Sequence, residues 1–260
     1  MKEIKVNKNA IALQTVLFKE IARFSRIWTQ TLLPPAITMT LYFIIFGELI
    51  GSQLRSINGY SYMQYIVPGL IMMSIMTSSY SNTSSSFFVA KFSKSIEEML
   101  VSSMPNYIIL LGYVIGGATR GMLVGLIVLL ISYLFTSTPI EHPLLVIAMA
   151  LLSAMVFSLG GFLNGLFAKS FDDISYVPTF ILTPLTYLGG VFYSIKQLPE
   201  FWQKLSFINP VFNIIDTFKF AILGTSDSNV YVGFSLVLGL FIILYYWCIY
   251  LMKKGVGLRT

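Results

Sequence analysis

Charge in this chain comes in clusters, and between the clusters lie uncharged runs of 20–35 residues: 27–47, 56–90, 99–119, 121–140, 142–168, 174–195 and 228–252. A helix needs ~20 apolar residues to cross the hydrocarbon of a bilayer. Only 11% of the 260 residues are charged and 56% are hydrophobic, whereas a soluble domain carries about 25% charged residues. Too little polar surface is left for water, so lipid is the solvent for most of the chain. The sequence therefore reads as an all-α integral membrane protein. The net charge of +6 fits a cytoplasmic face rich in Lys and Arg. It does not point to nucleic acid, because the three Trp stand outside any basic, aromatic stripe.

Most site chemistry is excluded by composition. The single Cys (Cys248) and single His (His142) cannot make a disulfide or a zinc site. Cys248 lies in an apolar run and reads as core filler, and His142 as a loop residue. An intramembrane enzyme would need acids, His or Cys clustered at one membrane face, and no such set of catalytic residues is found. Nor is there the chain of intramembrane acids that a proton-coupled carrier uses. Glu48, Glu141, Glu200, Asp216 and Asp227 fall near the outer ends of spans, and Asp172 and Asp173 in a short cytoplasmic loop. No G-x-x-x-x-G-K-[ST] run is present to cradle nucleotide phosphates. No cofactor or metal is expected on this chain, so energy for any work must come from a separate subunit. The N-terminus is polar and basic for too long to be a signal peptide.

The number of spans turns on Arg120. Residues 99–106 contain Ser102, Ser103, Pro105 and Asn106 and are not bilayer-like, which favours one helix over about 107–134. The alternative treats Gly116–Gly121 as a hairpin turn and gives seven spans. Six spans with the N-terminus inside put Lys2, Lys5, Lys8, Lys19, Arg23, Arg26, Lys91, Lys94, Arg120, Lys169, Lys253, Lys254 and Arg259 inside, and Arg55, Lys196, Lys204 and Lys219 outside, or 13 against 4. Seven spans give 11 against 6. The excess of positive charge on the cytoplasmic side favours six, near 29–50, 61–89, 107–134, 143–167, 175–194 and 229–252, with both termini cytoplasmic. Gly112, Gly116, Gly117, Gly121 and Gly125, and likewise Gly161 and Gly165, have the four-residue spacing that lets helix backbones approach closely.

Three segments are neither spans nor simple loops. In 11–28, Leu13, Leu17, Ile21, Phe24 and Trp28 share a helical face while Lys19, Arg23 and Arg26 lie on another, as in a basic interfacial helix. In 95–104, Ser95 and Glu98 have the spacing of a capping box. There Phe92, Ile96, Met99, Leu100 and Met104 form an apolar face, and Pro105 ends the helix. In 199–222 two short amphipathic pieces are separated by Asn209-Pro210 and are expected to dip into the outer leaflet, with Lys196, Lys204 and Lys219 snorkelling to headgroups. The second span carries a stripe of Ser74, Ser78, Ser81 and Ser85. That stripe is either a pathway lining or a set of hydroxyls bonded to their own backbone. Arg120 and Asn164 are rare residues in lipid and are functional candidates by default.

Several of these segments look like landmarks of one family. Val67-Pro68-Gly69 opens the second span. Ser95-Ile96-Glu97-Glu98-Met99-Leu100-Val101-Ser102-Ser103 is similar to a "GT-x-E-x-L-x-x-SP" stretch. Gly189-Gly190-Val191-Phe192-Tyr193-Ser194, Leu198-Pro199, Asn209-Pro210 and Lys219 are similar to an outer "GG-x-F … LP … NP … R" series. The chain thus resembles the ABC-2 type exporter permeases, over nearly its whole length. It departs at Ser95-Ile96 for Gly-Thr, Ser102-Ser103 for Ser-Pro and Lys219 for Arg. The resemblance implies a single transmembrane domain over 1–260 in the bacterial inner membrane, paired with a second copy of itself and with two ATPase subunits that bind the ATP and Mg. Ser95, Ile96, Glu97, Glu98, Met99 and Leu100 would form the coupling helix, and Lys19, Arg23 and Arg26 a clamp on the ATPase. Leu198, Pro199, Asn209, Pro210 and Lys219 would stand at the outer gate. The cargo stays open between amphipathic, lipid-linked and polysaccharide molecules. A channel or a membrane scaffold without an ATPase is the alternative.

Overall fold

The structure is a computed structural model that describes residues 8–53, 56–57, 59–102 and 104–258, without the side chain of Ser52. Lys2, Lys5, Arg55, Ser103 and Arg259 lie outside the described residues. Among the described residues there is no strand, only an isolated bridge between Ile57 and Tyr60. The order is α1 (Lys8–Arg26), α2 (Trp28–Thr31), α3 (Leu33–Tyr42) running into a π-wound stretch (Phe43–Ile50), α4 (Tyr62–Phe92), α5 (Ser95–Val101), α6 (Asn106–Ser132) and α7 (Pro143–Phe167). Then come α8 (Phe171–Val177), a second π-wound stretch (Pro178–Leu182), α9 (Thr183–Tyr187), α10 (Glu200–Ile208), α11 (Pro210–Leu223) and α12 (Val230–Lys254).

Among the described residues, four helices are long and apolar enough to cross a membrane: Trp28–Ile50, Asn106–Ser132, Pro143–Phe167 and Val230–Lys254. α6 runs unbroken through Gly116–Gly121, so the hairpin alternative at Arg120 does not hold. The two other expected spans depart from a plain apolar helix, for different physical reasons. α4 is 31 residues long and begins on a capping box: the Gln64 backbone N–H donates to Ser61 Oγ at 3.3 Å, and the Ser61 N–H to Gln64 Oε1 at 3.1 Å. It packs between α6 and α7 and buries most of its residues. A helix surrounded by protein has no need of an apolar surface, so its many Ser and Thr are tolerated. The segment expected as a helix over 175–194 is instead helical from Phe171 and ends at Tyr187. The early start comes from a capping box between Ser170 and Asp173. The early end comes from Gly189-Gly190, where Gly190 sits at φ +72, a conformation open to glycine at little cost.

The glycines hold this arrangement together. A Cβ on Gly117, Gly121 or Gly125 of α6 would collide with Thr83, Ser79 or Ile75 of α4, and one on Gly161 or Gly165 of α7 with the α4 backbone at Tyr80 or Ser84. On the other edge of α6, Gly112 and Gly116 receive Val16 and Glu20 of α1. The four-residue glycine spacing therefore serves packing inside one chain. Aromatic rings complete the core. Phe87 lies 5.3 Å from Tyr113 and 4.2 Å from Phe162, joining α4, α6 and α7. Cys248 is fully buried, as its apolar surroundings require.

Candidate functional site

One face of α4 stays uncovered. Met73, Thr77, Ser81, Ser85, Val89 and Phe92, spaced four or three apart, are exposed or half-buried while the rest of the helix, Gln64 in its first turn apart, is enclosed. The serine stripe is thus divided by packing. Ser74 and Ser78 are buried, with Ser74 Oγ donating to the Leu70 carbonyl at 2.8 Å. Ser81 and Ser85 open onto a groove of about 370 Å³, shared with Arg23, Gln30, Thr31, Arg120, Ser175 and Thr179 among others. Asn164 lies elsewhere. Its amide donates to the Ile174 carbonyl at 2.9 Å and ties α7 to α8.

The groove wall on the α1 side contains a buried polar cluster that hydrophobic periodicity does not reveal. α1 turns Val16, Glu20 and Phe24 inward, while Ile21 and Trp28, expected on its apolar face, are exposed. Glu20 is only 1% exposed. Ser86 Oγ donates to one of its oxygens at 2.6 Å, and Arg23 Nη2 lies 3.4 Å from the other. The same Arg23 nitrogen donates to the backbone and side-chain oxygens of Asn82 at 3.2 and 2.9 Å. A carboxylate can be buried here because a cation and a hydroxyl satisfy it. Its one sequence signal is an acid three residues before an arginine in an otherwise basic helix. Arg23 is therefore a tie between α1 and α4, whereas Lys19 and Arg26 remain exposed. Arg120 also points inward, with Nη2 donating to the Thr31 carbonyl at 3.0 Å, at the kink where α2 meets α3.

At the end of α4 the chain turns sharply through Ser93 and Lys94 into α5. Lys94 takes the left-handed conformation, φ 59, which is uncommon for a residue with a Cβ. Ser95 is the first helical residue rather than the cap, since Lys94 holds the N-cap position with no side-chain bond. The expected capping box is thus absent: Ser95 Oγ turns back to the Ala90 carbonyl at 3.3 Å. α5 stops at Val101, short of the expected 104, and Pro105 caps α6 instead. Ile96 is fully buried and Met99 and Leu100 half-buried, which leaves Glu97, Glu98 and Val101 exposed. Phe92 belongs to α4, meeting Phe171 of α8 edge-on at 5.4 Å between ring centres, not to the face of α5. Beside α5 lies a groove of about 690 Å³ bordered by Glu97, Leu100, Val101, Lys253 and Lys254. Two further contacts stiffen this end. Lys91 Nζ donates to the Leu166 and Ala168 carbonyls at 2.7 and 2.6 Å, capping the end of α7. The backbone N–H of Lys169, joined by Ser170, holds the Asp173 carboxyl below its usual range.

At the opposite end of α4, Asn209 and Lys219 tie α11 to Leu185 and Gly190, whereas Leu198 and Pro199 serve the start of α10. Gly69, after Pro68, meets Val191 so closely that a Cβ would lie 3.0 Å from it, joining the Pro-Gly and Gly-Gly landmarks. Asn209 caps α11 by accepting from the Val211 N–H at 2.9 Å, and its amide donates to the Leu185 carbonyl at 2.7 Å. Pro210 is the first residue of α11 and Pro199 caps α10. The Leu198 carbonyl accepts from Gln203 at 2.7 Å. Lys219 does not snorkel. It is 4% exposed, donates to the Gly190 carbonyl at 2.6 Å and sits 3.6 Å over the Tyr65 ring. Burial lowers its pKa, opposed by the carboxylates of Asp216 and Asp227. α11 packs on α4, α7 and α12, so the lysine faces protein rather than headgroups. Lys196, by contrast, is exposed and reaches Asp227 at 3.5 Å.

Residues 11–223 match the family described as ABC-2 type transporter. The chain belongs to that family. An Escherichia coli K12 protein named inner membrane transport permease YadH is 52% identical over 250 residues, 96% of this chain and 98% of that one. Nodulation protein J of Rhizobium leguminosarum bv. viciae is 23% identical over 191 residues, 73% and 74% of the two chains, and nodulation protein J of Neorhizobium galegae is 23% identical over 185 residues, 71% of each. The match spans most of α1, the Arg23–Arg120 groove, α5 and α11, and leaves Asp227, Lys253 and Lys254 beyond its end.

Proposed function

We propose that this chain is the transport permease of an ATP-driven exporter in the bacterial inner membrane, working as a pair over two separate ATPase subunits. In this account α4 and the broken helix over 171–187 also cross the bilayer, giving six spans with both termini cytoplasmic. The observation that carries the proposal is the continuity of one element. α5, seated by Ile96 and offering Glu97 and Glu98, is joined by only Ser93 and Lys94 to α4. The uncovered face of α4 lines the Ser81–Ser85 groove. A push on α5 therefore reaches the groove through one stiff helix. Leu100, Val101 and the Lys253-Lys254 pair border the recess into which an ATPase surface would fit. The name of the YadH relative supports the inner-membrane location, and the family supports transport. The chain itself carries no nucleotide site in this account; ATP and Mg belong to the partner. Cargo is an amphipathic, lipid-linked or polysaccharide molecule.

Co-expression with the ATPase encoded nearest to this chain tests the proposal. The ATPase is expected to co-purify with wild-type permease and to be lost with Val101→Asp, which alters only an exposed contact. A chain that binds no ATPase and conducts ions when reconstituted alone is a channel.

A further inference from the structure

Resting on the exporter account, we infer that the groove between α1, α4 and α6 is a binding site for a phosphate-type oxyanion carried by a lipid or by the cargo. Two guanidinium groups, Arg23 and Arg120, border the same space. Arg23 is partly neutralised by Glu20. Arg120 is not: among the described residues no carboxylate lies within ion-pair distance of it. Its bond is to the neutral Thr31 carbonyl, and its Nε is buried without any partner. A guanidinium has five N–H donors in a fixed fork that matches phosphate oxygens. Leaving such a cation half-satisfied in a desolvated wall is costly unless an anion completes it. Hydroxyls of Ser81, Ser175 and Thr179 border the groove and can donate to the remaining oxygens, while that of Ser85 donates to the Ser81 carbonyl at 2.7 Å.

The position fits an amphipathic molecule. The groove lies on the uncovered side of α4, on the same helical face as exposed Thr77 and Val89. It lies at the end of α1, the helix taken as interfacial. A phosphate held there would leave an attached hydrocarbon chain free to lie along apolar surface. Arg120 faces inward to Thr31, so it is not a simple anchor to bulk headgroups. Shape alone does not choose between a resident anionic phospholipid and a phosphate borne by cargo, and the experiment separates them.

The permease–ATPase complex is placed in nanodiscs of phosphatidylcholine with or without phosphatidylglycerol, and tightly held lipid is counted by native mass spectrometry. In the phosphatidylcholine discs, the melting temperature is followed with inorganic pyrophosphate as probe. Variants are Arg120→Gln, Arg120→Lys and Ser85→Glu. Ser85→Glu places a competing carboxylate in the groove at a half-exposed position and keeps the test valid should Arg120→Gln fail to fold. Selective retention of phosphatidylglycerol by wild type and Arg120→Lys, falling several-fold in Arg120→Gln and Ser85→Glu, identifies a lipid headgroup. No lipid preference, but a pyrophosphate-induced rise in melting temperature that both variants lose, identifies a phosphate on the cargo. Wild type that behaves like both variants in both assays overturns the inference. Co-purification of the ATPase is read in the same preparations, so loss of the exporter account is seen separately from loss of the anion site.

Discussion

At the scale of single residues, the polar groups inside this protein act mainly as ties. Glu20 is the clearest, because Ser86 and Arg23 both direct donors at it. Glu20→Ala leaves the buried Ser86 hydroxyl without its acceptor and takes the carboxylate from Arg23, which keeps its bonds to Asn82, a loss of ~1–3 kcal/mol. Thermal unfolding in detergent is expected to show a lower melting temperature, with Lys19→Ala, at an exposed position, as the unchanged control. Lys219→Met removes the donor to Gly190 and the cation over Tyr65, and by the same reasoning costs ~1–3 kcal/mol. Wild-type stability in that variant would mean that the seating of α11 does not depend on the lysine. These residues were the least legible in the sequence. Glu20 is hidden by a periodicity that counts only apolar side chains. Lys219 sits on a short amphipathic helix that looks interfacial until α4, α7 and α12 enclose it.

At the scale of elements, legibility follows the solvent. α6, α7 and α12 show lipid an apolar surface, and their observed limits differ from the sequence limits by two residues or fewer. α4 shows lipid little, and hydropathy does not count it among the spans; its crossing belongs to the proposed six-span topology. α5 was legible as a helix, but its cap was not, since the left-handed turn at Lys94 does the work assigned to Ser95. The close approaches of α4 to α6 and α7 depend on glycine. Gly121→Leu or Gly161→Leu forces the backbones apart, and overpacking of this kind costs ~1–3 kcal/mol or more. Gly239→Leu on α12, where nothing lies within 4 Å, is expected to be neutral. The check is the yield of monodisperse protein on size exclusion. Equal yields for all three would remove the glycine seams from the account.

At the scale of the whole molecule, the two ends of α4 differ in kind. At one end Asn209 and Lys219 bind α11 to its neighbours, and the other offers exposed carboxylates on a short, seated helix. Topology is checked with single cysteines. Cys248 is buried and silent, so Asp172→Cys and Glu200→Cys, both at exposed positions, report opposite faces. An impermeant maleimide added to spheroplasts is expected to label Glu200→Cys alone, and labelling of both or of Asp172→Cys alone would break the six-span orientation. In the proposed mechanism α5 passes the work of a separate ATPase to the groove. Its most direct test is ATP hydrolysis by the purified, reconstituted complex, wild type against Glu97→Ala/Glu98→Ala. The account predicts that the ATPase subunit alone and the double variant share a low rate, and that wild-type permease raises it. Equal stimulation by wild type and double variant would contradict the claim and leave α5 a surface helix.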